Sequence, residues 1–248
     1  MPDRWNPDFI HTHPALSPLA CAAGWAVDVS DFPPVHTWPA ESPLQSGSGA
    51  PLRFVSHTPR PRRRARTATE DLYEIRIYER GEVPSRERCW HDWLNFLVWS
   101  TYPRAKAALN RRQNTAIRAH LGARDPSAPL PGARSEEMDT LAMLDEGGAL
   151  LLLLPGAPEL GRLLDTDDPE LLLPLSQAGA IRLLLFGHGA MAQLLGGEVG
   201  LRCLVLPLQV TALTPAEADR ACAVALDAGA LQRRPKHRGL RLVPALFA

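Results

Sequence analysis

The decapeptide Trp90-His91-Asp92-Trp93-Leu94-Asn95-Phe96-Leu97-Val98-Trp99 sets chemistry-bearing side chains in a pattern. Wound as a helix, it carries His91, Asn95, Trp99 and Asp92 at about 0°, 40°, 80° and 100°, one continuous stripe. Every other position in it is apolar. A helix that is hydrophobic nearly all round is a buried one, and burying His, Asp and Asn without partners costs roughly 1–3 kcal/mol per unsatisfied group. The stripe therefore needs a hydrogen-bond network, a metal or a pocket wall around it.

Other polar residues are placed to complete it. Lys106 and Asn110 sit four apart on the next helical segment, and a tight turn near Pro103 folds them back toward His91. Asp145 and Glu146 lie between two apolar runs, with Asp139 ahead of them. His188 stands between Gly187 and Gly189 before a helix start, where bare backbone admits a ligand and exposed amides favour anions. Two histidines, several carboxylates and a lysine suit a metal-assisted hydrolase, in which a divalent ion polarises a substrate oxygen and lowers the pKa of bound water. In that reading His91, Asp92, Asp145 and His188 are candidate metal ligands. His91, Asp92 and Glu146 are candidate catalytic groups, and Lys106 stabilises developing negative charge. The substrate is a small molecule, such as a phosphoester. The alternative is a non-catalytic binding or assembly protein in which the His91/Asp92/Asn95 network only locks helices together.

Several chemistries lack their spacing. No H-x-x-x-H or H-E-x-x-H accompanies His91, and no G-x-S-x-G elbow occurs. Gly187-His188-Gly189 has neither the G-x-G-x-x-G spacing nor the lysine of a phosphate loop. Cys21, Cys89, Cys203 and Cys222 are scattered, which reads as reduced thiols. His11-Thr12-His13 has the form of a two-ligand clip, yet on a proline-rich terminus solvated side chains are the plainer reading.

The positioning elements are drawn from 248 residues, of which 45% are hydrophobic and 22% charged, the composition of a globular protein. Lys+Arg and Asp+Glu both number 27, so no basic surplus supports general nucleic-acid binding. Only Lys106 and Lys236 are lysines, which makes Lys106 a pointed candidate. No apolar run approaches the roughly 18–20 residues of a membrane span, and the N-terminus lacks the apolar region of a secretory signal, so a cytoplasmic location is expected.

Residues 1–70 hold 11 of the 24 prolines and end in an arginine-rich linker, Arg60 to Arg66. Residues 71–248 form the core, expected to be a single mixed α+β domain with helices packed on a small, mainly antiparallel sheet. The alternation of Tyr73, Ile75 and Ile77 predicts a strand closing at Gly81. Helices follow over Trp90 to Trp99 and Pro103 to Leu121. Thr140 to Leu144 and Ala149 to Leu154, flanking Asp145-Glu146-Gly147-Gly148, predict a β-hairpin. Residues 158 to 178 read as helix, Ala180 to Phe186 as either state, Ala190 to Leu195 as helix and Leu201 to Leu206 as strand. Thr214-Pro215-Ala216-Glu217 marks the start of a last helix that stops at Gly229.

Tyr73-Glu74-Ile75-Arg76-Ile77, Val83-Pro84-Ser85-Arg86, Trp90-His91-Asp92-x-x-Asn95, Pro103-x-x-Lys106-x-x-x-Asn110, Asp145-Glu146-x-Gly148 and Phe186-Gly187-His188 together form a pattern. From about Phe54 onward it resembles a bacterial domain-of-unknown-function family, number three-zero-two-five. The resemblance implies a cytoplasmic bacterial protein and carries no assigned activity. Its pattern has Thr where this chain has Ser85, and Glu near Gln193.

Overall fold

The computed structural model describes residues 4–39, 44–57, 69–122, 133–157, 169–233 and 239–247. The Arg60 to Arg66 run, residues 158–168 and the Pro/Gly loop from Asp125 lie outside them. The chain is a single α+β domain. Helices α1 (Ala20–Ala23), α2 (Tyr73–Arg80), α3 (Trp90–Thr101), α4 (Pro103–Leu121), α5 (Glu136–Gly147), α6 (Leu173–Gln177), α7 (His188–Leu195) and α8 (Pro215–Asp227) combine with six strands. The strands are β1 (Arg53–Ser56), β2 (Glu82–Ser85), β3 (Gly148–Leu153), β4 (Ile181–Leu185), β5 (Arg202–Gln209) and β6 (Leu240–Arg241).

The main sheet has the order β4-β3-β5-β6. Its outer pairings, β3–β4 and β5–β6, are antiparallel, while the central pair β3–β5 is parallel, as is the separate pair β1–β2. All six residues of β3 are buried, which is why Gly148-Ala149-Leu150-Leu151-Leu152-Leu153 reads as an unbroken apolar run rather than an alternation. Helices α3 and α5 pack against α7, and α4 packs along α8.

Two expectations are corrected. Residues 73–80 are helix α2, not a strand, because this helix is packed against both α4 and β2 and so buries Ile75 and Ile77 on different flanks. Burial on two flanks mimics the alternation of a strand. Gly81 does end the segment, as a left-handed residue at φ 64° whose N–H bonds Ile77 O at 2.9 Å.

The hairpin at 140–154 is likewise a helix running directly into a strand. Ser135 Oγ caps α5 by accepting from Met138 N at 3.3 Å, and Glu136, Glu137 and Asp139 lie in its first turn, where acidic groups favour a helix. Gly148 then rests against Leu144 O with no space for a Cβ, so the chain leaves the helix without a loop. Asp145 and Glu146 accordingly occupy the last turn of α5 instead of a hairpin tip.

The other elements fall close to the pattern: Ile181–Leu185 resolves to a strand, and Thr214 Oγ1 caps α8 by accepting from Glu217 N at 3.2 Å.

The proline-rich start of the chain wraps on α3. Phe9, Leu16, Leu19 and Phe32 share one apolar core with α3 and the main sheet. The Trp5 ring stacks on Trp90 with centroids 5.1 Å apart, and Trp93 makes ring contacts with Trp5, Trp25, Trp38 and Phe96. His13 Nδ1 accepts from Ala15 N at 3.1 Å, so this half of the proposed clip caps a 3₁₀ turn. Among the described residues no helix is long and apolar enough to cross a membrane.

Trp93→Ala empties the centre of this aromatic cluster and is expected to cost roughly 3–5 kcal/mol, read as a fall in the urea midpoint. An unchanged midpoint would show that the N-terminal segment is not seated there.

Candidate functional site

The ends of three helices meet around Glu146. His91 and Asp92 lie in the first turn of α3, where Asp92 is also well placed against the helix dipole. Asp145 and Glu146 end α5, and His188 begins α7. The Gly-His-Gly motif lets these ends touch. A Cβ on Gly187 would overlap the Glu146 and Gly148 backbone, and one on Gly189 would strike the Glu146 carboxylate.

His91 Nδ1 is 3.0 Å from Asp92 Oδ1, and its Nε2 is 3.1 Å from Glu146 Oε2. Arg86 fixes Asp92 from behind: its backbone N donates to Oδ2 at 2.7 Å, its Nε to Oδ2 at 2.9 Å and its Nη2 to Oδ1 at 2.8 Å. His188 is 3% exposed, with Nδ1 3.7 Å from Asp145 Oδ1 and Nε2 3.7 Å from Glu146 Oε1. The two imidazole rings meet edge to face, with centroids 4.5 Å apart. One ligand-capable atom from each of His91, Glu146 and His188 lies within 4.8 Å of the other two.

Lys106 lies in the interior. Its Nζ donates to Asn95 Oδ1 at 3.0 Å and pairs with Asp145, and it sits 5.2 Å from the centre of the Trp99 ring. Asn95 Nδ2 in turn donates to Tyr73 Oη at 3.0 Å, and Gln113 bonds Asp145.

The electrostatics separate the two histidines. Hydrogen bonds to Asp92 and Glu146 raise His91 to about 9, against burial. Burial pushes His188 down to about 4. Burial opposes the charge on Asp92, but the hydrogen bonds from Arg86 and His91 outweigh it and hold the carboxyl below its ordinary range. For Asp145 burial is again outweighed, here by the Lys106 ammonium. The His91 hydrogen bond lowers Glu146. At neutral pH His91 is a cation bridging two carboxylates, whereas His188 is a neutral imidazole.

These groups floor a cavity of about 440 Å³ whose wall includes His57, Tyr73, Arg76, Arg86 and Arg134. The placement redistributes the sequence candidates. His91, Glu146 and His188 converge, while Asp92 and Asp145 face the Nδ1 side of the two imidazoles. Lys106 does not line the cavity: its side chain is 4% exposed and committed to Asp145 and Asn95, which removes it from any role against substrate charge. Asn110 turns elsewhere, accepting from Gly47 N at 3.1 Å and donating to Glu74 O at 2.9 Å. Asp139 is exposed outside the cavity lining, and Gln193 is exposed on α7.

Sequence spacing passed over Arg134, His57 and Gln113, because each reaches the site from a distant segment without a local pattern. Arg86 stood in plain view beside Ser85, but only folding shows its grip on Asp92.

The fold and site define an α+β protein with a histidine–carboxylate cluster at the floor of an open cavity. The family described as protein of unknown function (DUF3025) matches residues 52–244, and the chain belongs to that family. No curated protein and no solved structure matches the chain.

The histidine shifts predict an optimum in the stability of the metal-free protein. His91, raised above the ordinary 6.5, stabilises the fold fully below that value and loses this contribution as pH climbs through about 9. His188, depressed below 6.5, lowers stability as pH falls from 6.5 toward about 4, because the unfolded chain then binds the extra proton. Both flanks should appear in urea midpoints against pH, and imidazole NMR should give midpoints near about 9 and 4. A His91 midpoint at 6.5 would rule out the two carboxylate contacts.

Proposed function

We propose that this protein is a metal-assisted hydrolase whose divalent ion is held by His91, Glu146 and His188. The observation that supports this reading most directly is the convergence of their ligand-capable atoms within 4.8 Å at the floor of the cavity. Two imidazoles with one carboxylate suit a borderline ion such as zinc, and are a poor set for calcium or magnesium, which prefer oxygen. Three protein ligands leave a coordination position for water and substrate on the cavity side, and the ion supplies Lewis acidity and a water of lowered pKa. On the wall Arg86 is committed to Asp92 and Arg76 to Glu82, so Arg134 together with the ion favours an anionic substrate, which makes a phosphoester the best-matched class.

In this reading Glu146 is a ligand. Asp92 and Asp145 back the imidazoles instead of binding the ion, and the stabilising charge comes from the ion and Arg134, not from Lys106.

One observation favours the non-catalytic alternative. Both ring nitrogens of His91 already hold carboxylates, and a chain of polar contacts from Tyr73 through Asn95 and Lys106 to Asp145 ties α2, α3, α4 and α5 together. As pure architecture, this network makes Asp92→Asn and His91→Gln lose a few kcal/mol of stability and bind no ion.

Calorimetric titration and elemental analysis decide between the two. The hydrolase reading expects one zinc or cobalt per chain, lost in both His91→Ala and His188→Ala, with metal-dependent cleavage of an aryl phosphate. Wild-type protein that takes up no ion, and whose thermal unfolding is indifferent to added zinc, leaves the network reading standing.

A further inference from the structure

We infer that Asp145, clamped by Lys106, is the positioning residue for His188, fixing the imidazole so that its Nε2 lone pair faces Glu146 and His91. This rests on the metal reading above and adds to it the residues that aim the second ligand.

His188 Nδ1 is buried and has no hydrogen-bond partner among the described residues. The carboxylate nearest that atom is Asp145, whose Oδ1 lies 3.7 Å away, just beyond hydrogen-bond length. The other ring nitrogen faces Glu146. A metal-ligating imidazole is neutral, with one N–H and one lone pair, and a hydrogen bond at the N–H nitrogen selects which is which. Each ring nitrogen faces a carboxylate at 3.7 Å, so the ion makes the choice: with Nε2 ligating, the proton is on Nδ1, where Asp145 is the acceptor that holds the ring.

The first imidazole repeats this arrangement with unrelated parts. His91 carries Asp92 at Nδ1 and Glu146 at Nε2, and Arg86 holds Asp92 as Lys106 holds Asp145. Each arm thus runs cation, aspartate, imidazole, and both arms point their Nε2 atoms at one glutamate. In the first arm the cation comes from the loop after β2, and in the second it comes from α4. Two separate elements thus supply the same order of groups, at hydrogen-bond length around His91 and at 3.7 Å around His188. Lys106 suits the task because Asn95 and the Trp99 face leave its ammonium no second position.

The test uses the full chain, zinc calorimetry, the visible spectrum of the cobalt form, and nitrogen NMR of the imidazoles. In the zinc-loaded wild type His188 is expected as the Nδ1–H tautomer. Asp145→Asn is expected to keep one ion per chain but bind zinc about 10–100-fold more weakly, with altered cobalt bands, while the far-UV circular dichroism is unchanged. A purely structural Asp145 would lower the melting temperature and leave the cobalt bands in place. Wild-type affinity and spectrum in Asp145→Asn overturn the inference and leave the metal site intact. An Nε2–H tautomer of His188 in the zinc-loaded wild type overturns it even if the variant fails to fold. Absence of any bound ion on wild type overturns both readings.

Discussion

Taking the Lys106 ammonium out of water costs several kcal/mol unless acceptors surround it, and the acceptors here come from different helices. Asn95 lies on α3 and Asp145 on α5, while the lysine itself belongs to α4. Sliding any one of these helices by a turn leaves a buried charge uncompensated, a defect of roughly 3–5 kcal/mol. The α3–α4 corner at Tyr102 is pinned separately, because Asp219 on α8 accepts from Ala105 N at 2.7 Å and so satisfies a free amide in the first turn of α4. The register of α3, α4 and α5 is therefore set by polar groups inside an apolar core, and the site geometry inherits that register.

A second constraint is steric. Glu146 reaches both imidazoles only because the end of α5 passes directly beneath the start of α7, and the crossing has no room for side chains at Gly187 or Gly189. Gly-His-Gly is thus a close-packing motif in which the histidine is the only side chain carried into the contact. Its function is not phosphate cradling. The same absence of a Cβ at Gly148 lets helix α5 become strand β3 with no loop, so the Glu146 carboxylate sits one residue away from the most deeply buried strand of the sheet.

The stripe on Trp90 to Trp99 was legible because a helix that is apolar on nearly every side makes any polar residue conspicuous, whereas the glycines around His188, read as room for a ligand, admit the end of α5 instead. The role of Lys106 was legible only in part: its scarcity and its spacing from Pro103 pointed to the His91 helix, but nothing local shows that Asp145 captures it before substrate can. Tyr73 to Ile77 misled because two buried flanks of a short helix copy the period of a strand. Asp145 to Gly148 misled because turn chemistry and a glycine helix exit use the same residues. Both errors have one cause: local pattern records how much of a segment is buried, while the neighbours that bury it arrive from distant sequence.

The two histidines share one glutamate yet hold opposite protonation states, and on the proposed reading the network and a metal site are two conditions of the same side chains. Without an ion, the charges of Arg86 with Asp92, Lys106 with Asp145 and His91 with Glu146 cancel in pairs, and His188 is neutral. On the proposed reading, a divalent ion displaces the His91 proton and takes over its contact with Glu146, while Asp92 remains as acceptor for His91 Nδ1. Replacing one proton by a doubly charged ion leaves the cluster with a single positive charge in excess. Hydroxide or an anionic substrate at the open position restores neutrality, so the cavity that is balanced without its ion becomes selective for anions once loaded. Arg134 on the wall acts in the same direction, but on that reading the change of charge at the floor is what would turn a helix-locking network into a site with a preference for substrate.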